Sequence, residues 1–316
     1  MAHISAVIAV YQEEQLMREL YRRLRNALES ISNDFEILFV EDGGRDNTWE
    51  LITEFSREDP RVRGLRFSRN FGQHYAITAG LDNCDGDWVV VMDGDLQDRP
   101  EVIPSLYQKA QEGYEIVFVA RQDRPESTRY KLLQRVFYWI FQMLAATEYD
   151  PKHGNFSIIS RRVVEHFRGM HESLRFYGGI VHWLGFEETS ISAKHGERFA
   201  GETQYNLRKR IQLAVRMILA HSDRPLSFSI GLGLAMAAIS LGYGTYIVIR
   251  ANLYDFPIEG WASVMAAIFF TGGMILTVLG VIGVYVGKIF NEMKSRPLYV
   301  VTDEANPLAK ETSGDR

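Results

Sequence analysis

The sequence predicts an α/β domain with a mostly parallel sheet, followed by an interfacial amphipathic helix and two transmembrane helices. Two observations predict it. From Ile4 to Ala120 short apolar runs alternate with helical patterns, the signature of right-handed βαβ units in an open sheet. Further on, two stretches without a formal charge follow each other: Leu226 to Ile249, 24 residues, and Ala262 to Gly287, 26 residues. Each exceeds the ~20 residues a helix needs to cross a bilayer core.

The elements of the first part read in order. Ile4 to Val10 is a strand, and Glu13 to Ser30 carries a helical stripe of Leu16, Leu20, Leu24 and Leu28. Phe35 to Val40 is a second strand, after which Asp46 or Asn47 can cap a helix running to about Arg57. Val62 to Phe67, a helix from Phe71 to Asn83, the Trp88 strand, a helix near Glu101–Glu112 and a strand from Glu115 to Ala120 complete the alternation. No GxGxxG follows the first strand, so a dinucleotide-binding Rossmann site is unsupported. Beyond Ala120 the reading is less regular. It gives a helix near Thr128–Ala146, a strand at Phe156–Ser160, a helix at Arg161–Arg168 and an edge strand at Glu188–Ala193. A polar loop follows from Lys194 to Gln204.

Tyr205 to Ser222 places Leu207, Ile211, Val215 and Ile218 on one face with basic residues largely elsewhere. Such a helix suits the membrane interface. The domain boundaries are therefore 1–204 for the α/β domain, 205–225 for the amphipathic helix, 226–290 for the anchor and 291–316 for a tail. From Asp303 onward the tail reads as disordered. Lys and Arg flank both spans on their outer sides, whereas the connecting loop holds Arg250 alone beside Asp255 and Glu259. By the positive-inside rule the α/β domain and both termini are expected in the cytosol, on a multi-pass protein of the cytoplasmic (inner) membrane. The single cysteine, Cys84, excludes an internal disulfide and fits a reducing compartment. The first residues lead straight into a strand-like run without a signal-peptide pattern. A net charge of −5 gives no global basic signal for nucleic acid.

Chemistry concentrates at Trp88-Val-Val-Val-Met-Asp93-Gly-Asp95-Leu-Gln97-Asp98. The apolar run reads as a strand buried on both faces. Open α/β sheets place ligands beyond the carboxyl ends of such strands. Two aspartates there repel each other unless a cation lies between them, and hard oxygen donors suit Mg2+ or Mn2+. Gly94 would let backbone approach a ligand closely. The bland alternative is a solvated acidic turn.

Other strand ends carry matching features: Tyr11-Gln-Glu13, Glu41-Asp42-Gly-Gly-Arg-Asp46, and Ser68-Arg-Asn70-Phe-Gly72-Gln-His-Tyr-Ala76. Together these resemble glycosyltransferase family 2 with its GT-A nucleotide-sugar fold. The two spans narrow the resemblance to membrane-anchored polyprenyl-phosphate glycosyltransferases of the dolichol-phosphate-mannose-synthase type, which have DADLQ where this chain has DGDLQ. The resemblance implies a nucleotide pocket lined by Ala9, Tyr11, Glu13, Asp42, Asn70 and Asp93, with Asp42 accepting hydrogen bonds from the base. It implies Asp93, Asp95 and Gln97 as metal ligands. Asp93, Asp95 and Arg121 become catalytic residues, and Arg121, Lys131 and Arg198 the contacts to donor diphosphate or acceptor phosphate. A homo-oligomer, with a tetramer as the candidate, is a further implication.

The expected activity is inverting, metal-dependent transfer of one sugar from a nucleotide donor, UDP-linked, to undecaprenyl phosphate. An acceptor phosphate has a second pKa near 6 and is already anionic, so cationic positioning matters more to it than a general base. Two other readings compete: extension of a lipid-linked saccharide or polysaccharide, and a degenerate non-catalytic membrane scaffold. Departures from the family pattern motivate the last. P-x-Y-N-E appears as Ala9-Val-Tyr-Gln-Glu13, G-D-F-R as Gly154-Asn155-Phe156-Ser157, and G-x-[ST]-K-[YW] as Gly201-Glu-Thr-Gln204-Tyr. An aspartate, an arginine and a lysine are thereby lost, which puts the acceptor contacts in question.

Overall fold

The computed structural model describes residues 3–121, 153–170, 172–173, 175–193, 224–253 and 260–306. These fall into two compact units. The first contains β1 (Ile4–Val10), α1 (Met17–Glu29), β2 (Phe35–Glu41), α2 (Thr48–Glu58), β3 (Val62–Phe67), α3 (Gln73–Asn83) and β4 (Trp88–Asp93). It continues with α4 (Ile103–Ala110), β5 (Ile116–Arg121), β6 (His153–Ser160), α5 (Arg161–Arg168), α6 (Tyr177–Trp183) and β7 (Glu188–Ala193). The second unit holds α7 (Arg224–Leu253) and α8 (Trp261–Met293), after which β8 (Val301–Ala305) belongs again to the first.

Eight strands form one mixed sheet in the order β7-β5-β6-β4-β1-β2-β3-β8. β4, β1, β2 and β3 run parallel, while β6 is antiparallel between β4 and β5. Alternating side chains feed two cores. Ile8, Phe39 and Val90 meet Leu20, Leu24, Ile52 and Leu106 on one face. Val7, Leu38 and Val89 meet Ile77, Leu81, Val164 and Ile180 on the other. Burial on both faces explains why these strands read as continuous apolar runs. By contrast β7 alternates exposed and half-buried residues, the pattern expected of an edge.

The chain leaves β1 through β2 to β3 on one side, then crosses to β4 on the other. The strand order therefore reverses between β1 and β4, where open α/β sheets form their ligand crevice. Register places Ala9 beside Asp93 and Val10 beside Glu41 at this point.

The carboxy-terminal reading needs correction. Residues 296–306 belong to the first unit rather than to a separate tail, and β8 pairs antiparallel with β3 where disorder was expected from Asp303. Tyr299 stacks on Phe67 with ring centroids 5.1 Å apart, and its hydroxyl donates to Asp82 at 2.9 Å. Asn306 donates its side-chain amide to Pro60 O at 2.7 Å. Gly64 is required here, because a Cβ would lie 2.5 Å from Ile52 and 3.3 Å from the Ala305 side chain.

In the second unit, α7 and α8 contain Leu226–Tyr246 and Phe270–Met293, with mean hydropathies of 1.6 and 2.0. Both are long and apolar enough to cross a membrane, and most of their described side chains are exposed. The helices expected at Thr128–Ala146 and Tyr205–Ser222, and the loop at Lys194–Gln204, lie outside the described residues.

Candidate active site

A cavity of about 370 Å3 opens at the reversal point, lined by Ala9, Tyr11, Glu13, Asp42, Asn70, Asp93 and Asp95 among others. Three strand ends and the segment after β3 bring these residues together. Of the remaining expected site residues, Gln97 is half-buried two positions beyond Asp95. Arg121 ends β5 in register with Ala193, so β6 separates its strand from that of Asp93. Lys131 and Arg198 lie outside the described residues.

The Asp93–Gln97 segment is a tight, strained turn. Gly94 N–H donates to Ala9 O at 3.1 Å. A Cβ on Gly94 would lie 2.6 Å from Val10, so the close approach it permits is to β1. Leu96 is buried with φ of 57°, a left-handed backbone that costs a non-glycine residue free energy and clusters at functional sites. It turns Gln97 back on Asp95. Gln97 N–H donates to Oδ1 at 3.0 Å and its side-chain amide donates to Oδ2 at 2.5 Å. Gln12 is the second such residue at the cavity rim, also at φ 57°. Asparagine tolerates this conformation more readily than glutamine, which gives a physical reason for Asn in the family pattern at this place.

Asp42 is buried, and its carboxylate accepts Phe71 N–H at 2.7 Å and Gly72 N–H at 2.9 Å. It therefore anchors the Ser68–Gly72 segment at the start of α3, a role that spacing alone did not reveal. Glu41, one residue earlier, faces away from the cavity. It accepts the Gly44 N–H and pairs with Arg66 at 3.4 Å. Gly43 must be glycine: its φ is +64°, and a Cβ would collide with the Arg69 backbone.

Charge accumulates at the β1 end. Glu13 donates its N–H to Thr48 Oγ1 at 3.0 Å, and Glu14 donates its N–H to Asp46 Oδ2 at 3.1 Å. Burial, then the neighbouring Asp95 and Asp46, push the Glu13 carboxyl up to about 7. Burial also raises Asp42 and Glu41.

Two residues that the sequence reading did not connect to Asp93 reach it. Gln73, at the first turn of α3, donates its side-chain amide to Asp93 Oδ1, and Asn155 on β6 does the same at 3.4 Å. Ser157 is fully buried and hydrogen-bonded to Asn155 O (3.1 Å) and Tyr177 (2.7 Å). It lies within the sheet, away from any ligand surface. Elsewhere, burial pushes the Cys84 thiol up to about 12, making it an inert core residue.

The donor set suits a hard divalent cation. Asp93, Asp95 and Gln97 offer two carboxylates and an amide oxygen, whereas no group of three or more His, Cys, Asp or Glu among the described residues is arranged to hold a metal ion by itself. Mg2+ is commonly held by one or two carboxylates together with substrate phosphates. Burial is the main cause of the raised Glu13 carboxyl; the smaller part, from Asp95 and Asp46, is the repulsion a cation would relieve.

Residues 5–168 match the model of glycosyl transferase family 2, a span running from β1 through α5. The uncharacterized glycosyltransferase YkcC of Bacillus subtilis (strain 168) is 38% identical over 299 residues, 94% of this chain and 92% of its own. The bactoprenol glucosyl transferase of Shigella phage SfV is 36% identical over 304 residues, 95% of this chain and 98% of its own. Among solved structures, the mannosyltransferase PcManGT of Pyrobaculum calidifontis, with GDP-Man and Mn2+, aligns at 15% identity and a TM-score of 0.46 over 92% of this chain and 88% of its own. With the family model across the pocket-forming strands and relatives alike over nearly the whole length, the chain belongs to glycosyl transferase family 2 and is a glycosyltransferase.

Proposed function

We propose that this enzyme transfers a single sugar, with inversion, from a UDP-linked donor to a polyprenyl phosphate, undecaprenyl phosphate, at the cytoplasmic face of the membrane. The observation that carries the reading is the cavity between β1 and β4, acidic at Glu13, Asp42, Asp93 and Asp95, in a chain that also has two apolar helices. The name of the phage relative, bactoprenol glucosyl transferase, supports a polyprenyl acceptor.

In this reading Tyr11, 45% exposed at the cavity, offers a ring face to the nucleobase. Asp42 retains further lone pairs for the base while anchoring Phe71 and Gly72. Asp93, Asp95 and Gln97 would hold Mg2+ or Mn2+, which as a Lewis acid would stabilise the leaving diphosphate. An oxygen of the acceptor phosphate forms the new bond to the anomeric carbon. The bond from that carbon to the donor diphosphate breaks, and UDP departs with the electron pair. No proton transfer is needed, because the acceptor is already anionic. Arg121, Lys131 and Arg198 are assigned to positioning the two phosphate groups against their mutual repulsion.

A donor screen with the full-length protein and undecaprenyl phosphate in nanodiscs, reading nucleotide release, tests this. UDP released from a UDP-sugar only when the lipid phosphate is present is the expected result. GDP release from a GDP-sugar, or release indifferent to the lipid, would overturn the donor or acceptor assignment.

A further inference from the structure

We infer that Asn155 is a positioning residue for Asp93, holding its carboxylate by a neutral hydrogen bond where the family pattern has an aspartate. The inference rests on the proposed role of Asp93 in binding the donor and metal.

The sheet register makes the contact systematic. β4 and β6 pair antiparallel, with Trp88 opposite Ser160 and Val91 opposite Ser157. Extended two residues past the last pair, that register leads Asn155 toward Asp93. There Asn155 Nδ2 donates to Asp93 Oδ1 at 3.4 Å, and the Gln73 amide donates to the same oxygen from α3. Two donors from different elements restrict rotation of the carboxylate.

Behind Asn155 runs a buried chain. Ser157 spends its one hydroxyl proton on Asn155 O (3.1 Å), so Tyr177 must be the donor in its 2.7 Å bond to Ser157. Both residues are fully buried, and buried polar groups that are mutually satisfied specify one arrangement. Tyr177 N–H in turn donates to His74 Nδ1 at 3.4 Å, one residue from Gln73. The network thus joins both amide donors to Asp93. An aspartate at 155 would set a carboxylate oxygen against Asp93 instead of an N–H. An asparagine has no side-chain base, so it can only orient.

The test uses the full-length protein in detergent with three variants: Asn155→Ala, the isosteric Asn155→Asp, and Tyr177→Phe. UDP affinity in the presence of Mn2+ is measured by calorimetry, and kcat and KM for sugar transfer are measured alongside. Asn155→Ala is expected to weaken UDP–Mn2+ binding and kcat about tenfold, as for other loss of support behind a metal ligand. Asn155→Asp is expected to fall at least as far despite its matched shape, and Tyr177→Phe a few-fold. Wild-type values for both Asn155 variants would overturn the inference. If the wild type itself neither binds UDP nor transfers sugar, the donor reading has failed separately. The side-chain amide resonances of Asn155 in an Asp93→Asn variant then decide: displaced resonances support the positioning contact, and unmoved ones overturn it.

Discussion

Gln97 closes on Asp95 through two hydrogen bonds, its main-chain N–H to Oδ1 at 3.0 Å and its side-chain amide to Oδ2 at 2.5 Å. Using the Gln97 amide nitrogen in this way commits the side chain's orientation. Replacing it with alanine leaves Asp95 without that support, so the Mn2+ concentration needed for half-maximal transfer should rise about tenfold. A metal titration of Gln97→Ala against the wild type checks this, and superimposable curves would remove Gln97 from the metal-site assignment.

Asp42 accepts two backbone N–H groups while buried. Asp42→Ala strands both donors, at a cost of about 1–3 kcal/mol in stability, and releases the Ser68–Gly72 segment from the cavity wall. Thermal unfolding should show the loss, and calorimetry should show weaker UDP binding. A variant with lowered stability but unchanged UDP affinity would confine Asp42 to a structural role.

The Glu13 carboxyl, pushed up to about 7 in the folded protein from an ordinary value of 4.5, makes stability depend on pH. A folded value above the unfolded one means that folding favours the protonated form. That contribution is complete below about pH 4.5 and is lost as pH rises through 7. Without divalent metal, unfolding midpoints should therefore fall between pH 5 and 8, and Glu13→Gln should flatten the decline. Asp42 and Glu41 are raised in the same sense, so some slope should remain. An undiminished slope in Glu13→Gln would show that Glu13 does not titrate in this range.

Tyr299 joins the segment after α8 to the α/β unit by stacking on Phe67 and bonding Asp82. Truncating it to alanine should cost about 2–3 kcal/mol, the scale of a large aromatic removed from a partly buried contact. Unfolding in detergent monitors it, and Tyr299→Phe, which keeps the stack, should recover most of the loss.

How far the sequence could be read depends on how local each determinant is. β3 has the bounds read for it although Arg63 and Arg66 interrupt its apolar residues. β1 has the bounds its apolar run indicates, because a strand buried on both faces shows itself residue by residue. The acidic strand ends were legible for the same reason, since the ends of apolar runs are where a sheet exposes its ligand side. β8 was not, because Val301-Thr-Asp-Glu-Ala is short and polar and acquires strand geometry only by pairing with β3. α6 carries two glycines in seven residues and gives no helical signal of its own. Within the site, Glu41 and Asp42 look alike in sequence, yet strand alternation turns one into the interior and the other into the cavity. The bonds from Gln73 and Asn155 to Asp93 depend on α3 and an antiparallel β6 converging on β4, which no spacing in the chain discloses.

The most direct test of lipid-linked sugar transfer is extraction of the lipid product from wild type and Asp95→Ala supplied with radiolabelled UDP-sugar, Mn2+ and undecaprenyl phosphate. The expected result is a single labelled monosaccharide lipid from the wild type, reduced on the order of a hundredfold or more in Asp95→Ala. An equal yield from Asp95→Ala, or label only in longer saccharides or outside the lipid fraction, would contradict it.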